Sequence, residues 1–562
     1  MKLLRNFKEK KLYILVLLFL AFILIRTFGL NIPFYADETR WAVVTEMPFS
    51  DYMNLIPHPP ISILLYKSIS MLLGLSTFSI RLFSLIFGFL SLIMVYFIAK
   101  NNFGEKTALY SMIIMVSSFW SVLASLQVDI DGSLLMFIFT LYIYYFIEYV
   151  KTKDKKILYY LGIILGFGLL TKSTSILLVM ISGLYYLAKE KNLKIVIPPF
   201  AIISVIGGAI YMSTISLMYS IWPTFVTRGN IIFHILDNIS KSFSLLELVY
   251  FVIWGTSLFL GILIISIIDK DEKYSIFKFW IFITILTYFF IGVPYIAVFD
   301  RYLMIIIPPL SIIGGEILKK IRFSAKDGVI IGIVAALSAL IFVSLNLHNE
   351  YITHNIKNYV SRMLTFNWNF FFPITGGSGP QFGVSFSSIM ISIIISMSLI
   401  GIYIIGKALD KKRLAHYSLI CFFSVSFTFN LFLVSEYLIH PMHPNYDDGV
   451  RKIIEYANTH DIKLPVYSNE VSIAFYLNLT KNMSFHEEGD EKTFIFNYAE
   501  VNDIRRMEKM NSSIKLNGGT VLIVDYPILD KESMMWKSIL KQCNEKERIY
   551  SKKIITGYVF EC

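Results

Sequence analysis

The amino-acid sequence predicts a mainly α-helical, polytopic membrane protein with a small α/β domain at its C-terminal end. Three observations carry this expectation. Apolar runs long enough to span a bilayer recur along the chain, basic residues gather in alternate loops between them, and the composition changes near residue 440. The 562 residues are 56% hydrophobic and 16% charged, which is more apolar surface than a soluble core of this length can enclose. Each run can cross a hydrocarbon core of roughly 30 Å as a helix, and a helix satisfies its own backbone polar groups in lipid.

From the N-terminus, spans are expected near residues 12–30, 80–99, 107–126, 133–150, 157–171, 174–188, 195–218, 248–268, 279–298, 302–318, 328–347, 388–406 and 417–438, about thirteen in all. The first follows Lys2, Arg5, Lys8, Lys10 and Lys11 as a signal sequence would. It is longer than a usual signal core and lacks a small-x-small cleavage site, so it reads as a retained span. An odd number of spans puts the two termini on opposite sides. Alternate loops then hold nearly all the cations, among them Lys151/Lys153/Lys155/Lys156, Lys319/Lys320/Arg322/Lys326 and Lys407/Lys411/Lys412/Arg413. The positive-inside rule makes these loops and the N-terminus cytoplasmic. The formal charge of +11 is therefore a topology signal and gives no reason to expect nucleic acid as a partner.

The apolar stretch 57–75 would invert every later loop if counted as a span, and it reads instead as an interfacial helix on the outer surface. The outer loops are then 31–79, the short turn 127–132, the loops near 219–247 and 299–301, and 348–387. The spans form a domain expected over residues 1–439. Residues 440–562 read as an extracytoplasmic α/β domain, with helices near 447–458 and 532–541 and strands at Thr493–Phe496 and Thr520–Val524. Of the three cysteines, Cys421 lies in an apolar run, and a Cys543–Cys562 disulfide is left open.

Polar groups that suit chemistry recur in the outer loops. Asp37, Glu38 and Arg40 follow the first span, and ionisable groups at the rim of a bundle are functional candidates by default. His58 lies between prolines at the start of the interfacial helix. Asp129 and Asp131 share a very short turn, Lys172 ends an apolar run, and Arg301 and Tyr302 begin a span containing Pro308 and Pro309. Taken singly, each has a plain reading: solvated loop acids, a cation snorkelling at a helix end, an aromatic in an interfacial belt. Trp222, Arg228, His234 and Trp368 keep that plain reading.

In order, the Asp-Glu-Thr-Arg at 37–40, the His-Pro-Pro at 58–60, Asp131, the Leu-Leu-Thr-Lys at 169–172 and the Arg-Tyr at 301–302 resemble the GT-C superfamily. They are most similar to the group of protein O-mannosyltransferases and aminoarabinose transferases, and the resemblance covers roughly residues 12–320. It implies a GT-C bundle of about thirteen spans in a cell membrane and a polyprenyl-phosphate-linked sugar as donor. It also implies transfer outside the cytoplasm to a glycan, glycolipid or protein hydroxyl, with Asp37 as the essential acid of the first outer loop.

A base there suits an inverting attack by an otherwise poor hydroxyl nucleophile. Glu38 is expected to orient the acceptor or Asp37, and Asp131 to bind sugar hydroxyls or hold a cation in place, while Arg40, Lys172 and Arg301 are expected to bind the donor phosphate. His58 and Tyr302 are candidate donor or acceptor contacts. Asp129 and Asp131 also form an Asp-x-Asp pair resembling the metal-binding acids of oligosaccharyltransferases, so a divalent cation is a candidate cofactor; the absence of a Trp-Trp-Asp motif in the C-terminal domain argues against that branch. The competing class is a transporter or lipid flippase, against which stand the lack of an internal repeat and the placement of the acids at the rim instead of the midplane.

Overall fold

The computed structural model describes residues 2–35, 37–45, 59–221, 245–269, 271–291, 299–347, 349–350, 352, 356–374, 382–439, 441–443, 445–481, 501–503, 516, 518–525, 529 and 531–562. The chain divides into two compact units. One comprises Met1–Leu30, Val44–Phe342 and Ile389–Val434, and the other Asn31–Val43, Val343–Ser388 and Ser435–Cys562.

The first unit is helical throughout. Among the described residues, eight helices are long and apolar enough to cross a membrane, or nine if the bent pair Glu105–Ser117 and Phe119–Leu126 is one span. The expected count of about thirteen is therefore not reached on length and hydropathy. The expected runs are nonetheless helical over most of their described residues, and the shortfall has local causes. The run at 107–126 bends by 68° at Ser118, which is extended and caps the second helix by accepting from the Ser121 N–H. Lys156–Thr171 ends at Lys172, which adopts an extended conformation, and a 3₁₀ turn intervenes before Leu177–Glu190. The first expected span yields only the shorter apolar helix Leu12–Thr27; Ile61–Leu73, not among the thirteen, has 13 residues, about 20 Å of helix, too short to span.

Helices meet where side chains are small. Gly162 and Gly166 lie one turn apart on Lys156–Thr171, and Cβ atoms there would meet Ile206 and Ile210 of Leu193–Ile221. Such spacing lets two backbones approach in lipid, where close packing substitutes for a hydrophobic driving force. Gly315 of Ile307–Lys319 does the same against Glu105–Ser117, where an added Cβ would lie 2.6 Å from the Ser111 nitrogen and 2.8 Å from the Thr107 carbonyl. These contacts fix the helices from which the polar residues below project.

The second unit contains a five-stranded sheet with strands β3 (Val466–Ser468), β4 (Val501–Asp503), β5 (Thr520–Val524), β6 (Asn544–Ser551) and β7 (Ile554–Glu561), following the short antiparallel pair β1 (Phe371–Ile374) and β2 (Phe382–Ser385). The order is β4-β3-β5-β7-β6, with β3 parallel to β4 and β5, and β7 antiparallel to β5 and β6. The apolar run of β5 is buried at every position, as a central strand covered on both faces must be. The charged β6 has exposed residues along most of its length, a composition that protects an edge.

Helices Tyr446–Thr459 and Met534–Gln542 occupy the two expected helical stretches. Trp536 and Ile539 pack on Val521, Ile523, Tyr558 and Phe560. Cys543 and Cys562 form a disulfide, and Cys421 is free. The expected strand at 493–496 lies outside the described residues.

Candidate active site

The Asp129–Asp131 turn, Lys172 and Arg301 come together in the first unit. Asp131 donates its backbone N–H to Asp129 Oδ1 at 3.2 Å, an Asx-type turn that lets a two-residue spacing present both carboxylates. The Tyr66 hydroxyl lies 3.5 Å from the Asp129 carbonyl and 3.3 Å from Ser84 Oγ, bracing the same turn. Lys172, released from helical geometry at the end of its span, donates to both carboxylate oxygens of Asp131. Arg301 donates from Nη1 to Asp129 Oδ2 at 2.9 Å, and its Nε lies 3.7 Å from Asp131 Oδ2.

The Tyr302 ring lies under both cations, 4.3 Å from Lys172 Nζ and 5.3 Å from the Arg301 guanidinium carbon, and stacks on Tyr288 at 5.0 Å. Cations over an aromatic face gain further from its quadrupole.

The cluster is shielded from water: Asp129, Asp131 and Lys172 are 3%, 1% and 8% exposed. Burial is the largest influence on the Asp131 carboxyl and raises it above the usual carboxylate range, with the Lys172 ammonium pulling the other way. Two anions and two cations side by side in a low-dielectric site form a preset array that an incoming anion can join by exchange.

Asp37, Glu38 and Arg40 belong to the second unit, on the helix Asp37–Val44. Glu38 is fully buried, and its Oε2 accepts from the Tyr35 N–H at 3.2 Å, closing the turn that starts this helix. Its geometry is thus that of a support for the loop. The segment before it is held by the rest of the same unit. Phe34 donates its N–H to the Tyr476 hydroxyl at 3.0 Å, its carbonyl accepts from the Tyr446 hydroxyl at 3.3 Å, and Arg451 donates to the Asn31 carbonyl. The Tyr35 ring meets Tyr446 edge-on at 4.7 Å. Asp37 opens the helix and Arg40 is exposed one turn on. His58, with Trp222, Arg228 and His234, lies outside the described residues.

Among the described residues no group of three or more His, Cys, Asp or Glu side chains is placed to hold a metal ion. The Asp129 and Asp131 carboxylates face a guanidinium and an ammonium, a set of partners that suits cations fixed by covalent attachment better than a divalent ion.

Two further cations escaped the sequence reading. Arg26 is fully buried, donating to Phe22 O at 3.1 Å and to Ser121 Oγ at 3.1 Å, and Arg81 donates to Leu126 O at 2.7 Å. Both brace the bent pair that leads into the Asp129 turn. The signal that could have found them is the one that marks Lys172, a cation at the end of an apolar run on the side that otherwise lacks them.

Residues 57–219 match the family model described as dolichyl-phosphate-mannose-protein mannosyltransferase. The structure of ArnT from Cupriavidus metallidurans bound to undecaprenyl phosphate superposes with a TM-score of 0.59 at 15% identity, covering 97% of each chain. The chain thus shares the fold of that ArnT structure. The apo state of the same ArnT gives a TM-score of 0.56, again at 15% identity and 97% of each chain. Archaeal oligosaccharyltransferase AglB from Archaeoglobus fulgidus aligns over 92% of this chain and 69% of its own at 11% identity, with a TM-score of 0.41, too loosely to bear on the site. No curated protein sequence matches the chain. The GT-C likeness read from the motifs is therefore found again in the family match and in the fold, and with it the multi-pass membrane placement. The matched segment contains Asp129, Asp131 and Lys172.

Proposed function

We propose that the chain is an inverting glycosyltransferase that moves a sugar from a polyprenyl-phosphate-linked donor to an acceptor hydroxyl on the extracytoplasmic face. The observation that carries this reading is the pair of cations, buried Lys172 and partly buried Arg301, set over Tyr302 and fixed by Asp131 and Asp129. A membrane-embedded array of this kind suits a phosphate more than it suits neutral sugar hydroxyls.

In this scheme the Asp37 carboxylate removes the proton of the acceptor hydroxyl as its oxygen attacks the anomeric carbon. The bond from that carbon to the phosphate oxygen breaks with its electron pair, and polyprenyl phosphate departs. Lys172 and Arg301, with Arg40, balance the charge that grows on the leaving oxygen. Asp129 and Asp131 are assigned the holding of those cations, and Asp131 yields Lys172 to the stronger phosphate anion. Glu38 positions the loop that carries Asp37, and Tyr302 and His58 are assigned donor or acceptor contacts. No metal takes part in the scheme, because the Asp-x-Asp carboxylates are already matched to cations.

The charge pattern supports a cytoplasmic N-terminus, and residues 440–562 are assigned to an extracytoplasmic domain that selects the acceptor. A glycan or glycolipid hydroxyl is the preferred acceptor, on the ground that this small domain offers little room for a peptide groove.

Inhibition by polyprenyl phosphate, the product, tests the phosphate assignment. Arg301→Gln and the double variant Lys172→Gln/Asp131→Asn, which leaves no lone buried charge, are each expected to weaken that inhibition by about tenfold or more, the loss of a charge-assisted hydrogen bond. Unchanged inhibition in both would place the phosphate elsewhere.

A further inference from the structure

At the far end of the span that Arg301 opens, four loop and helix-end cations surround a cavity of about 650 Å³. Arg322, Lys407, Lys412 and Arg413 line it, together with Lys320, and Asp410 is the sole acid in the lining. Lys320 is already paired with Asp269, and His416, also in the lining, lies 3.3 Å from Asp327. Arg322, Lys407, Lys412 and Arg413 have no carboxylate within 4.0 Å among the described residues, and all four are exposed. Lys407 interacts with the Asp269 carboxylate from beyond ion-pair distance, and cations without a paired carboxylate, gathered around one concave space, attract an anion from outside.

The position and the remaining lining narrow the anion's class. The cavity lies where three candidate spans end or begin: Asp300–Lys319, Phe386–Ala408 and Lys412–Ile439. Tyr403 and Tyr417 line its apolar side, and Leu409 and Leu414 next to it are 59% and 40% exposed. Tyrosine rings at span ends mark the headgroup level of a bilayer, and exposed leucines there suit acyl chains. Basic pockets between spans at that level recognise phosphate-bearing headgroups.

We propose that this cavity binds a phosphate-bearing anion, supplied as the headgroup of an anionic phospholipid or as free phosphate. Arg322 and Arg413 provide planar forks for its oxygens, and Lys407 and Lys412 provide point charges. By the charge pattern, the leaflet concerned is the cytoplasmic one. The site is separate from the Asp131–Lys172 cluster, so it stands or falls independently of the transferase reading.

The test uses the full chain purified in an uncharged detergent and read by native mass spectrometry, with phosphatidylglycerol, phosphatidylcholine and orthophosphate as probes. Phosphatidylglycerol is expected to be retained over phosphatidylcholine, and its retention to fall about tenfold or more in Arg322→Gln/Lys407→Gln/Arg413→Gln. Asp410→Asn removes the one repelling carboxylate at a position of positive φ that Asn tolerates, and should retain phosphatidylglycerol more strongly than wild type. Orthophosphate that displaces the lipid at matching concentration would identify the phosphate group alone as the ligand; lipid retention that orthophosphate leaves intact would identify the headgroup with its chains. Equal retention of the two phospholipids by wild type, or no difference between wild type and Asp410→Asn, would overturn the proposal, and the latter comparison decides it even if the triple variant does not fold.

Discussion

Lys172 shows how much a single residue's setting adds to its identity. Its ammonium is nearly out of reach of water and donates to both oxygens of Asp131. Removing one member of such a pair leaves a buried charge without compensation, at a cost of about 3–5 kcal/mol. Lys172→Ala is therefore expected to lower the thermal unfolding midpoint of the purified protein markedly. Lys172→Gln/Asp131→Asn, which deletes both charges, should recover most of that loss while transfer stays well below that of wild type. Equal destabilisation by the single and double variants would mean that packing, not charge pairing, holds the site.

At this scale the sequence marked residues that the fold brings together, for a physical reason: Asp131, Lys172 and Arg301 each sit at the rim of a span, where a charge needs a partner. It did not reveal which carboxylate holds which cation. Asp129 and Arg301 are 172 residues apart, and hydropathy carries no information about partners at that distance. Nor did the sequence show that Glu38, expected to orient the acceptor or Asp37, accepts from the Tyr35 N–H at the turn below Asp37.

Helices and connections were legible to the extent that they depend on apolar length. The run at 107–126 could not show its bend, because Ser118 reads as an ordinary polar residue until its side chain caps the next turn. Lys172, by contrast, falls between the expected spans 157–171 and 174–188, and the helix does end there, which aims it at Asp131.

The connection after the last long helix carries a testable pH response. His443 is half-buried against Phe371, with Nε2 2.7 Å from the Asn346 carbonyl. Burial lowers its pKa, Lys552 adds to the effect, and the Asn346 carbonyl opposes it. The unfolded chain takes up the proton first, near an ordinary histidine pKa of about 6.5. The unfolded state thus binds more protons than the folded one below that pH, and stability falls as the pH drops from about 6.5 through the depressed folded value. The unfolding midpoint of wild type is expected to fall more than that of His443→Gln between neutral and mildly acid pH. Parallel curves for the two proteins would remove His443 as a cause.

For the whole molecule, composition alone separated a membrane bundle from an α/β domain, and the strand Thr520–Val524 and the helices on either side of it were found where the pattern placed them. What composition could not show is that the second compact unit also takes in residues 31–43 and 343–388. Those stretches lie far from the C-terminal sheet in sequence, and only tertiary contacts such as Tyr446 with the Phe34 carbonyl and Arg451 with the Asn31 carbonyl reveal the association. The helix bearing Asp37 is thereby part of the same compact unit as the C-terminal sheet.

The transfer reaction itself is the most direct test of this account. Purified wild type and Asp37→Asn would be supplied with a radiolabelled polyprenyl-phosphate hexose and membrane extract, with and without chelator, and label followed into glycans, lipids and proteins. Transfer by wild type is expected to survive the chelator and to disappear in Asp37→Asn, a substitution that keeps the shape and removes the proposed base. Undiminished transfer by Asp37→Asn would contradict it.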